Sequence, residues 1–236
     1  MKKATITTLF LFFICNISLA QNADSKITEL IEKAHRYVLK NETEILTIGD
    51  NAVKNYNDCY IQAFDIAEQQ IARITDFEAK SDYKYLQIRL LSELIPASMK
   101  DGGLSVSEYK NRMNKKASIL QSLIADTKNS SLHRLQKSSG LLWLYDVLGM
   151  HYIEQGEFAN AKQSFVECVQ VYNSTLTNSK SELSEYFDAN ELNEIVQEAY
   201  YYMGMAEWKL GNKSSAETYY NKAKSIIGGT SLPEYK

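Results

Sequence analysis

The chain has 236 residues, 44% hydrophobic and 23% charged, with two prolines and ten glycines, a composition that suits one globular domain with a continuous core. Its 26 basic and 29 acidic residues leave a net charge of −3, which argues against nucleic acid as a partner, since that calls for a basic patch. Few helix breakers beside many Ala, Leu, Glu, Lys and Gln lean toward helix, and the 16 tyrosines suit either thin repeat layers or an aromatic ligand groove.

Residues 1–20 read as a secretory signal peptide. Lys2 and Lys3 form a basic start, Leu9 to Ile14 the centre of an apolar run, and Ser18-Leu19-Ala20 a small-residue cut site before Gln21. The apolar run is too short for a comfortable membrane span. The pattern predicts an exported protein, periplasmic or secreted, cleaved after Ala20, with a short leader of bacterial appearance. Cys59 and Cys168 survive that cleavage. They could pair in an oxidising compartment, but Cys168 falls where a small buried residue is wanted, and a buried inert thiol is the favoured reading.

Residues 21 to 25 are polar and read as loose. Ile27, Leu30, Ile31, Ala34 and Val38 then keep helical spacing. Thr43 to about Thr75 reads as helix, with Tyr60, Phe64, Ala67 and Ile71 on one stripe and an interruption at Tyr56-Asn57-Asp58. Lys84 to Ser98 predicts another helix, ended or kinked by Pro96. Lys100-Asp101-Gly102-Gly103 is a strong turn signal, and Ser105-Val-Ser-Glu108 a capping box opening a helix that carries Met113, Ala117, Leu120 and Ile124. After a polar link at Thr127–Ser131 comes a long helix from about Leu132 to Gln155. Beyond Asn173 the chain is polar to Ser184. A second capping box, Asp188-Ala-Asn-Glu191, starts a helix running to Leu210, and the last helix ends at Gly228-Gly229. No segment alternates with period two long enough to argue a strand.

Two stretches share one pattern. Tyr145, Leu148, Gly149 and Tyr152 make a helical stripe, Gly156 a break, and Ala161, Phe165 and Cys168 the answering stripe on a second helix. The same offsets recur 55 residues on, with Tyr200, Gly204, Gly211, Ala216, Tyr220 and Ala223. A glycine inside a helix costs about 1 kcal/mol against alanine, so Gly149 and Gly204 imply close approach of a neighbour. Both stretches resemble the tetratricopeptide repeat, a helical hairpin marked by an aromatic, Leu-Gly, a tyrosine, then an alanine and an aromatic. They depart from it in three ways. The spacing exceeds the usual ~34 residues, Glu207 replaces the second copy's tyrosine, and neither copy keeps the terminal proline.

The resemblance implies an all-α, right-handed α-solenoid of about eight or nine helices. Residues 21–236 then form one helical domain, with degenerate helix pairs over 25–127 and clear repeats at 142–175 and 197–229. It also implies a concave face carrying Trp143, Asp146, Met150 and Ile153 from the first copy and Glu198, Tyr201, Met205 and Trp208 from the second. Those residues would grip a protein or peptide. The competing expectation is that the 174–190 insertion or the N-terminal helices cover this face. Asp146 and Met150 are wrong for the lysine and asparagine clamp by which some relatives hold a terminal carboxylate.

Catalytic chemistry finds little support. His35, His133 and His151 are scattered, and His151 with Glu154 supplies only two of the ligands a metal needs. There is no G-x-S-x-G elbow and no phosphate loop ending in Gly-Lys-Ser. The expectation is a non-enzymatic adaptor without cofactor or metal, meeting any membrane only through its partner. The runner-up is an extracytoplasmic sensor or carrier for a small or glycan-type ligand, and a motif-less enzyme is a third class.

Overall fold

A computed structural model describes residues 21–39, 49–178, 180–187, 189–226 and 235. The leader at 1–20, Asp188 of the second capping box, and Gly228-Gly229 lie outside the described residues. The described chain is all-helical: α1 (Gln21–Leu39), α2 (Asp50–Ile71), α3 (Phe77–Ser92), α4 (Val106–Asn129), α5 (Arg134–Glu154), α6 (Phe158–Thr175), a short α7 (Lys180–Ser184), α8 (Ala189–Lys209) and α9 (Lys213–Ile226). Among the described residues the sole β feature is an isolated bridge between Pro96 and Leu104. The chain divides into two compact units, residues 1–119 and 120–236, with the division falling inside α4.

In the first unit α2 packs against both α1 and α3. Its core is Ile27, Leu30 and Ala34 of α1 with Val53, Tyr60, Ala63, Phe64 and Ala67 of α2 and Ile88, Leu90 and Leu91 of α3. Three expectations are corrected here. The stretch at 21–25 is not loose but the first turn of α1, where Asp24 accepts a hydrogen bond from the Tyr83 hydroxyl at 2.7 Å. The helix is not interrupted at Tyr56-Asn57-Asp58, which lie inside α2. Asn57 would compete with its own backbone if solvated. Instead it is buried and clasps the loop after α3, donating to the Ile95 carbonyl and accepting from the Ile95 N–H, each at 2.9 Å. Finally, α3 starts at Phe77, capped by Asp76 accepting from Ala79 N–H, and ends at Ser92 before Pro96 is reached.

Asn57→Ala is therefore expected to lower stability by about 2–3 kcal/mol, because it strands a buried N–H and a buried C=O together. Chemical denaturation followed by circular dichroism measures this; a loss below about 0.5 kcal/mol would mean that water replaces the amide.

The Ser105–Glu108 capping box forms as read. Glu108 N–H donates to Ser105 Oγ at 3.3 Å, and the Glu108 carboxylate accepts from Ser105 N–H at 3.1 Å. The polar link at Thr127–Ser131 is shorter than expected, for α4 continues to Asn129 with Thr127 buried. A further box at the start of α5 has no serine or threonine to announce it. His133 Nδ1 accepts from Leu135 N–H while Gln136 accepts from His133 N–H.

In the second unit α5 pairs with α6 and α8 with α9, while α8 also packs on α6 and, more lightly, on α5. Two hairpins are thus stacked one on the other. Both turns are built alike. Gly156 and Gly211 sit at φ +73° and +86°, the left-handed region that glycine adopts without a Cβ clash. Glu157 N–H reaches the Tyr152 carbonyl and Asn212 N–H the Glu207 carbonyl, at 2.8 and 2.9 Å. The same main-chain bonds at the same offset mean that the repetition lies in backbone geometry as well as in residue type.

Candidate functional site

Phe165 anchors the first hairpin. Its ring is fully buried and lies over Gly149, where any Cβ would come within 2.5 Å of Cζ. Tyr145, Leu148, Ala161 and Cys168 are buried around it, and Tyr152 is half-buried with its hydroxyl accepting from Gln121 at 2.9 Å. Cys59 and Cys168 are both free and buried. Burial, with the Asp146 carboxylate second, pushes the Cys168 thiol far above its ordinary range, as expected of an inert thiol.

The second hairpin departs from the first. Ala216 and Ala223 are buried, but Tyr200 and Tyr220 are only half-buried. Tyr200 faces Tyr219 with ring centroids 6.4 Å apart, and the Lys222 ammonium sits 5.5 Å from the Tyr200 ring. Over Gly204 lies the ring of Tyr235, from the chain's far end, rather than that of Tyr220. Glu207, which replaces the tyrosine, keeps its tethering role by other means. Where Tyr152 reaches back to α4, buried Glu207 reaches back to Lys162 of α6 and accepts from Asn212 at 2.6 Å.

The eight residues expected on the concave face lie on α5 and α8, two helices in direct contact. Trp143 and Trp208 keep 37% and 36% of their surface open, and Asp146, Met150, Ile153, Tyr201 and Met205 are half-buried. Two contacts of the described part of the 174–190 insertion fall at the start of α5. Tyr186 stacks on His133 at 5.3 Å and Asn178 meets Arg134. That is about 15 Å along the helix from Trp143, at ~1.5 Å per residue.

Asp146 carries the unusual electrostatics. Its Oδ1 is buried with no hydrogen-bond partner among the described residues. Burial pushes its carboxyl up to about 7, with the Glu198 carboxylate adding to the effect. The Glu198 side chain opens to solvent, yet its carboxyl is also raised, by desolvation first and by Glu194 second.

Sequence reading missed Tyr202. It stacks on Phe165 at 5.7 Å with planes 18° apart, carrying the second hairpin onto the first. The signal was the run Tyr200-Tyr201-Tyr202. Successive helical residues turn by about 100°, so three consecutive aromatics must serve three faces. No cluster of three or more His, Cys, Asp or Glu side chains able to hold a metal occurs among the described residues.

Residues 144–175 and 197–228 each match the tetratricopeptide repeat family model. The matched segments are the two hairpins α5–α6 and α8–α9, so the second unit carries two tetratricopeptide repeats, stacked in the manner of an α-solenoid. Repeats of this kind serve as protein–protein interaction scaffolds. No curated protein matches the chain in sequence. Among solved structures it is similar to BtubC (BKLC) from P. vanneervenii, at 12% identity over 91% of this chain and 96% of that one, with a TM-score of 0.32. That likeness is too loose to carry an argument about function.

Proposed function

We propose that the protein is an exported bacterial adaptor that binds a protein or peptide partner on the shared face of α5 and α8, without catalysis. The observation that carries this reading is the pair of open tryptophans, Trp143 and Trp208, beside half-buried Met150, Ile153 and Met205. Large aromatics left open beside flexible thioethers are the composition of partner-binding surfaces. Exposed Glu194 and Glu198 add negative charge, which favours a partner with a basic rim. Export rests on the basic, apolar and small-residue order of residues 1–20; no described helix is long and apolar enough to cross a membrane. The buried, unpartnered Asp146 oxygen favours one second reading, a carrier whose small ligand donates a hydrogen bond there.

The test compares the parent chain with Trp143→Ala, Trp208→Ala in a pull-down from an envelope fraction, with circular dichroism confirming that both are folded. A partner held by the parent and lost by the variant is the expected result. Equal capture by both would place the binding surface elsewhere, and no capture at all would move the carrier reading ahead.

A further inference from the structure

Tyr235 occupies a slot that the repeat architecture leaves open. On the first hairpin, Tyr202 of the next helix stacks on Phe165 and lies near Asp146. The residues 55 further on from Phe165 and Asp146 are Tyr220 and Tyr201. Tyr235 packs on both of these, with ring centroids 5.4 and 5.2 Å away, and 6.4 Å from Trp208. Its hydroxyl donates to the Tyr201 main-chain carbonyl at 2.8 Å, and its Cζ lies 2.8 Å from where a Cβ on Gly204 would stand.

One tail side chain thus stands on the last hairpin where a whole helix supplies Tyr202 to the first. The slot is selective in chemistry. A glycine floor admits the phenolic end of a ring, three tilted or edge-on aromatics flank it, and a carbonyl takes the phenolic hydrogen. A single side chain is also a light anchor, kept in place chiefly by the high effective concentration of a tethered segment.

We propose that the slot formed by Tyr201, Gly204, Trp208 and Tyr220 is a recognition site for a tyrosine-bearing peptide segment, and that the chain's own Tyr235 holds it closed in cis. This rests on the reading of the α5–α8 face as partner-binding and names the chemistry recognised at its second-copy end.

The experiment uses the full chain, its Tyr235→Ala variant, and a labelled peptide Thr-Ser-Leu-Pro-Glu-Tyr-Lys copied from residues 230–236, with a peptide carrying alanine for tyrosine as control. Fluorescence anisotropy is expected to show the variant binding the tyrosine peptide about tenfold or more tighter than the parent does, since the tethered competitor is gone. The alanine peptide is expected to bind neither. Equal binding by parent and variant, or equal binding of the two peptides, would overturn the proposal.

A measurement on the parent alone guards against a variant that fails to fold. Nitration of Tyr235 by tetranitromethane, followed by peptide mass mapping, is expected to be about tenfold or more slower in the folded chain than in the free peptide, and equal rates would overturn cis closure. Loss of the peptide effect with the tryptophan-dependent pull-down intact would sink this inference and leave the adaptor reading standing. The reverse pattern would sink the adaptor reading and, with it, the slot's part in partner binding, leaving only a closed tyrosine slot.

Discussion

Replacing Phe165 by alanine is expected to cost about 3–5 kcal/mol of stability, the range for deleting a fully buried phenylalanine ring. The ring fills the space over Gly149 on one side and carries Tyr202 on the other, so its removal loosens α5 against α6 and the second hairpin against the first. The converse change, Gly149→Ala, sets two effects against each other. A better helix former contributes up to about 1 kcal/mol. A methyl within 2.5 Å of Phe165 Cζ must push a buried ring into its neighbours, at about 1–3 kcal/mol. We expect a net loss near 1 kcal/mol. In the double variant the new methyl enters the vacated space, so the two costs should fall short of additivity by about 1 kcal/mol or more. Denaturant titrations of the three variants check this. A stabilised Gly149→Ala would show that the ring yields and that close approach is not what holds glycine there.

Asp146→Asn is expected to stabilise the protein, and only at neutral and higher pH. An aspartate carboxyl titrates near 3.8 when unfolded, and in the fold it is held at about 7. Between those values the folded chain binds the extra proton, so stability falls as pH rises through that window, and the penalty is complete above about 7. At about 1.4 kcal/mol per pH unit the full cost is about 4 kcal/mol. Asparagine keeps the shape and has no charge to desolvate. Its gain should be largest at pH 8 and vanish near pH 4. Among the described residues, Glu198 and Tyr202 on α8 and Cys168 on α6 couple electrostatically to Asp146, and none of these three is a cation. A pH-independent effect of the substitution would mean that the carboxylate finds water or a counter-charge.

The helices of the second unit could be read from sequence because their information is local. Alanine, glycine and aromatic positions at fixed offsets place two hairpins, and the glycines past each first helix set both turns. The Ser105–Glu108 box was equally legible, both partners lying within one turn. Asn57 was not. Whether an asparagine breaks a helix or crosses to a distant loop depends on what lies opposite, and Ile95 is 38 residues away. The His133 cap escaped because an imidazole nitrogen does the work of a hydroxyl.

The site divides in the same way. The sequence by itself determined which residues line the faces of α5 and α8, since helical period alone assigns them. Only the tertiary structure decided what those faces meet: Tyr202 over Phe165, Glu207 paired to Lys162 across the repeats, Asp146 Oδ1 buried without a hydrogen-bond partner among the described residues, and Tyr235 seated on Gly204. Each is a contact between residues far apart in the chain, and its existence depends on how helices pack, which periodicity along one helix does not encode.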